Sequence, residues 1–348
     1  MITDAQKELY KLYWERKNDR PLLAVTAPKD KQDWSALPKK PESIEERWLD
    51  SNYVIKKFRT GMSNTYYGGA AFPQIFANYG PDIMGAICGG CDIEFGESTS
   101  WALHGVESFS SMADIVFDEG NKWWQGIFKL TEDLLKDANG EYIVGITDLH
   151  PGTDCLVSLR GPENLCYDLF EEPELVKKFE RQVFEVYKKV YQNLFDITSK
   201  QGGVSNWMGI WSDKRWYVVG SDFSCLVSPE DYEEFVAPGI EREISFLDQS
   251  IYHLDGPQAL RHLDRILKFE KLNGVQWVYG AGQPSASHWI DVLKKIQNAG
   301  KNIEITVLPK DVPALCDNLR PEGLFMTCRA SSVREAKELE AYASGNSK

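Results

Sequence analysis

Short runs that are apolar on both faces recur along the whole chain. They are PLLAVTAP (21–28), CDIEF (91–95), YIVGITDL (142–149), GVSNWMGIW (203–211), WYVVGSDFSCLVS (216–228), SIYHLDG (250–256), GVQWVYG (274–280), IEITVLP (303–309) and GLFMTC (323–328). Such runs fit parallel strands covered by helices. Between them the period changes. From Glu172 to Lys200, Val176, Phe179, Val183, Tyr187, Val190 and Leu194 recur at helical spacing. Ser228-Pro229-Glu230-Asp231 reads as a capping box with proline at the first helical position, opening a helix through Phe235, Val236 and Ile240. Ser285 opens another that Gly300 closes, and SSVREAKELEAYA is the last. Alternating strands and helices, with about eight strands, predict a (β/α)8 TIM-type barrel. The reading is a single α/β domain over residues 1–348, with an amphipathic N-terminal helical extension over about residues 1–20. A doubly wound sheet is the alternative, but no GxGxxG loop follows an early strand.

Composition narrows the partners. The formal charge is −13, and no Lys/Arg cluster is long enough to form a basic face, so nucleic acid is excluded as a partner. No stretch approaches a membrane span, and the charged N-terminus lacks an apolar signal core, so a cytoplasmic protein is expected. Seven cysteines lie scattered at odd count, which fits reduced thiols. Cys88-Gly-Gly-Cys91 has the spacing of a metal or redox half-site, but no second CxxC completes it and its glycines suit a turn.

In a barrel, chemistry collects where strands end. Asp92 opens DIEF; Asp148, His150 and Asp154 follow the third run; Asp222 lies in GSDFS; Gln276, Trp277 and Tyr279 occupy VQWVYG. His253 and Asp255 stand two apart on a strand, so they share a face. They suit either a divalent metal or an acid–base pair, or else a local role in which Asp255 caps the helix starting near Pro257. Cys328, at the end of the last strand, could supply a thiolate to the same mouth or be a buried apolar cysteine. Trp207, Trp211, Gln276, Trp277 and Tyr279 are candidate substrate contacts, or rim and core packing.

SDFSCLVSPEDYEEFVAPGIERE followed by IYHLDG, and LRGPENLCYDLFEEPELVKK before it, resemble the uroporphyrinogen decarboxylase superfamily over most of residues 140–340. That superfamily includes the decarboxylases and the zinc- and cobalamin-dependent methyltransferases, and the resemblance implies a (β/α)8 barrel. The methyltransferase branch carries His-x-Cys at one strand end and a further Cys at the end of the last strand. His253 and Cys328 match; Asp255 replaces the first Cys, which hardens the donor set. The decarboxylase branch carries Arg-Gln-x-Gly-Arg on the first strand, which RPLLAVTAPKD lacks, and a Tyr where this chain has Val157; its essential Asp could match Asp92.

The resemblance therefore implies a methyltransferase subunit, with zinc on His253, Asp255 and Cys328. It would move a methyl group from a small donor, such as a methoxylated aromatic (an O-demethylation), to a corrinoid (cobalamin) on a partner protein. Asp92, His150, Asp222 and Asp255 are the candidate catalytic groups. A metal-free carboxy-lyase using Asp92 and a non-catalytic binding protein are the alternatives. Oligomeric state is left open, a homodimer being one option because large barrels often dimerise.

Overall fold

The computed structural model describes residues 2–345. Eleven strands are β1 (Leu22–Pro28), β2 (Thr65–Gly69), β3 (Gln74–Phe76), β4 (Cys91–Phe95), β5 (Ser100–His104), β6 (Ile143–Gly145), β7 (Trp216–Gly220), β8 (Gln249–Asp255), β9 (Gly274–Val278), β10 (Asn302–Val307) and β11 (Leu324–Arg329). Seven of them form one mixed sheet in the order β2-β1-β11-β10-β9-β8-β7. All its neighbours run parallel except β2, which pairs antiparallel with β1. Helices separate most of the parallel strands, so the architecture is α/β around one continuous apolar core.

Four expected strands differ, and the 216–228 run is one of them: it is extended only at Trp216–Gly220 and then turns into a 3-10 helix over Asp222–Leu226. CDIEF forms β4, but it pairs with β5 in a separate two-stranded hairpin. The 142–149 run is a strand only at Ile143–Gly145, paired with β3 outside the main sheet. The 203–211 run forms no strand and makes only two isolated bridges, Val204 to Ser212 and Ile146 to Asn206. Gly202, Gly203 and Gly209 there hold positive φ, a conformation that interrupts an extended ladder. Among the described residues, the ladders do not close into a ring: the main sheet ends at β2 and β7.

The N-terminal helix Asp4–Trp14 is a plug rather than an appendage. Thr3 and Gln6 cap it reciprocally, and Tyr10, Tyr13 and Trp14 fall on one face. Trp14 packs on Trp216 at 5.2 Å between ring centroids and donates Nε1–H to the Trp211 carbonyl at 3.0 Å. Tyr13 packs on Phe325 at 5.7 Å, and its carbonyl accepts from Asn302 Nδ2 at 3.1 Å. These partners stand at the N-terminal ends of β7, β10 and β11. One end of the sheet is thus filled with aromatic rings, and the end where the strands finish is left for chemistry.

Candidate functional site

Strand register decides which side chains share the inner face. His253 pairs with Gln276, Gln276 with Glu304, and Glu304 with Phe325. Side chains alternate along a strand and align across a ladder, so His253, Asp255, Gln276, Glu304, Phe325 and Thr327 face one way. Gly220 of β7 opposes His253 in the same row. A Cβ at Gly220 would meet the His253 Cβ at 3.2 Å and its carbonyl oxygen at 3.0 Å, so glycine makes room for the ring.

Past the strand ends, five side chains converge. Ligand atoms of Asp222, His253 and Asp255 lie within 4.8 Å of one another, as do those of His150, Asp154 and Asp222. The two groups share Asp222, which follows β7 at the start of a 3-10 turn. His253 Nε2 lies 3.7 Å from Asp222 Oδ1, while its Nδ1 is bonded to Gln276 Oε1. Trp207 meets the His253 ring edge-on, with centroids 5.4 Å apart at 87°. Asp154 lies in the first turn of helix Gly152–Arg160 and buckles the loop after β7 to it. Its Oδ2 accepts the Asp222 N–H at 2.9 Å; its Oδ1 accepts Phe223 N–H at 3.0 Å and Ser221 Oγ–H at 3.2 Å.

His150 is held between carboxylates. Its Nε2 lies 3.0 Å from Asp148 Oδ1 and its Nδ1 lies 3.8 Å from Asp154 Oδ2. Burial disfavours the imidazolium, but Asp148 and Asp154 outweigh it and raise His150 well above the ordinary histidine range. A protonated imidazole is a proton donor and a poor metal ligand, so the two groups are not equivalent. Asp222 is raised as well, by partial burial and then by the Asp154 charge, with both histidines opposing. Both groups offer one histidine and two carboxylates to a cation; in the His150 group the histidine also sits between Asp148 and Asp154.

One cavity reaches this region and a second lies apart from it. The first, about 270 Å³, is lined by His150, Asp154, Asp222, Phe223, Asp82 and Leu226, among others. The larger, about 860 Å³, is lined by Trp48, Tyr53, Phe58, Tyr67, Gln74 and Phe76 together with Lys57 and Asn78. Gln74 of this lining donates Nε2–H to the Asn206 carbonyl at 2.9 Å, one residue before Trp207, but none of the clustered histidines and aspartates lines the cavity.

Several expected site residues lie elsewhere. Cys328 is on the outer face, in register with Val25 and Val307, one position out of phase with Thr327. Burial pushes its thiol up to about 11, with Glu335 and Asp311 adding to it, so a thiolate is not favoured there. Trp277 also points outward and packs on Trp289 at 5.1 Å. Tyr279 has the same parity as Trp277. Trp211 belongs to the plugged end, 6.5 Å from Tyr10. Asp92 sits on the β4–β5 hairpin, with Lys122 Nζ 3.1 Å from its Oδ1, and lines a separate cavity of about 640 Å³ together with Cys88, Cys91 and Glu107. His150, Asp222, Asp255, His253, Trp207 and Gln276 are brought together. Glu304 escaped the sequence reading, although a lone carboxylate inside the apolar run IEITVLP was the available signal.

No family model matches the sequence, and neither does any curated protein. Solved structures do match. One is a methyltransferase from Methanosarcina mazei, with a TM-score of 0.60 over 98% of this chain and 98% of that one, at 9% sequence identity. At that identity the likeness is one of fold. No described helix is long and apolar enough to cross a membrane.

Proposed function

We propose that the chain is a corrinoid-dependent methyltransferase subunit on an irregular (β/α)8 barrel, belonging to the uroporphyrinogen decarboxylase superfamily. The observation that carries this reading is the cluster of Asp222, His253 and Asp255 at the strand ends. The fold shared with the archaeal methyltransferase supports it. The donor set suits a divalent metal: His253 has Nδ1 engaged and Nε2 free beside two carboxylates. One imidazole and two carboxylates are acceptable zinc ligands, harder than the thiolate set that the resemblance implied. Zinc bound there would polarise the heteroatom that carries the methyl group.

The chain's own residues supply the rest. His150 holds a proton beside Asp222 and can deliver it to the departing heteroatom, as a general acid must. Trp207 fixes the His253 ring and shields it from water. The larger cavity, where Trp48, Tyr53, Phe58, Tyr67 and Phe76 meet Lys40, Arg47, Lys57 and Glu97, suits an aromatic donor that carries polar substituents. Leu226 and Leu308, exposed at 57% and 48%, lie just beyond strand-end positions where a corrinoid-bearing partner would approach. The metal-free lyase reading is less favoured, because Asp92 stands on a side hairpin apart from the His253 cluster.

Elemental mass spectrometry of protein purified without chelator is the test. About one zinc per chain in the wild type and none in His253→Ala is expected. Absence of metal from the wild type after zinc has been offered would refute the mechanism.

A further inference from the structure

The inner face carries a polar row below the site. Thr327 Oγ donates to Glu304 Oε1 at 3.1 Å, and Glu304 lies in register against Gln276, whose side chain contacts it. Gln276 Oε1 in turn meets His253 Nδ1. Glu304 is 1% exposed, and its Oε2 makes no aligned hydrogen bond. A buried carboxylate with a spare oxygen at the base of a site is costly unless it organises something.

We propose that Glu304 is a positioning residue that selects the tautomer of His253 through the Gln276 amide. An ionised carboxylate only accepts hydrogen bonds, so the Gln276 NH2 must face Glu304. The Gln276 carbonyl then faces His253, which must carry its proton on Nδ1 to donate. Nε2 is left with its lone pair on the side of Asp222, whose Oδ1 lies 3.7 Å away. Were the amide reversed, its NH2 would face Nδ1, the proton would move to Nε2, and no metal could bind there. The arrangement follows the rule that a ligating histidine is oriented by what its other nitrogen touches. Burial pushes Glu304 up to about 7, with the Gln276 and Thr327 contacts opposing, so the ionised form that this relay needs prevails above that value and the tautomer is read at about pH 8.

The metal consequence rests on the proposed function; the tautomer does not. Nitrogen-15 NMR of histidine-labelled, metal-free protein reads it directly, with the His253 signal identified by its loss in His253→Ala. The wild type is expected to show Nδ1–H. Glu304→Gln, close in shape and without charge, is expected to mix the two tautomers and to weaken zinc affinity by about 10–100-fold in a chelator competition. An Nε2–H wild type overturns the proposal before any variant is made. An unchanged tautomer in Glu304→Gln overturns it as well. A shifted tautomer in a protein that binds no zinc upholds the positioning role and refutes only the metal reading.

Discussion

Replacing Asp154 with asparagine tests the joint between fold and site. The side chain is 12% exposed and accepts three hydrogen bonds, two of them from the backbone N–H groups of Asp222 and Phe223. Asparagine keeps one acceptor oxygen, enough for Phe223 and Ser221. The other oxygen becomes an NH2 that faces the Asp222 N–H, which loses its partner. A hydrogen bond to a charged group contributes about 1.5–3 kcal/mol, and an orphaned buried donor costs about 1–3 kcal/mol more. The amide relaxes and water reaches the rim, so we expect a loss of about 2–4 kcal/mol. The charge effect on His150 sets the pH dependence. His150 is raised in the folded state, so its ion-pair contribution is fully present below the ordinary value of 6.5 and is lost as pH rises through the folded value. The gap between wild type and variant should therefore narrow at alkaline pH. Urea unfolding followed by tryptophan fluorescence, repeated across pH, measures both effects. A difference below about 0.5 kcal/mol at neutral pH would mean that Asp154 does not hold the loop.

Gly220→Ala should destabilise by about 1–3 kcal/mol, because the new methyl group presses on His253, and zinc retention should fall with it in a dialysis assay. Cys328→Ala should cost about 1 kcal/mol in thermal unfolding and leave zinc content unchanged, since the thiol is on the outer face; loss of metal would contradict the register. Arg242→Met leaves Glu180 buried without its partner, beside buried Glu243, and should cost about 3–5 kcal/mol. Burial raises both carboxyls, so stability is lost as pH rises through their folded values, and the deficit should be larger at pH 8 than at pH 5 in denaturant melts.

Legibility in the sequence followed the range of the interaction. Period alone located β1, β8, β9, β10 and β11 to within a few residues, because each is an apolar run buried on both sides. The runs 142–149 and 203–211 were read as longer strands because local hydrophobicity does not report pairing; Trp211 is buried against a helix some two hundred positions away in sequence, by Tyr10. At the site, the i, i+2 relation of His253 and Asp255 was sound, since it needs only one strand. Cys328 failed because position at a strand end is not enough. Which face a residue takes depends on register across β8, β9, β10 and β11, and a step of one residue turns it from mouth to helix layer. That single step changes the chemistry. With the thiol on the outer face, the third candidate donor beside His253 and Asp255 is Asp222 from the loop after β7, and a metal held there would meet only nitrogen and oxygen. Carboxylates are harder donors than thiolates and favour soft metals less, so the preference should broaden toward harder divalent ions, and manganese or iron should compete with zinc here better than at a site built on cysteines.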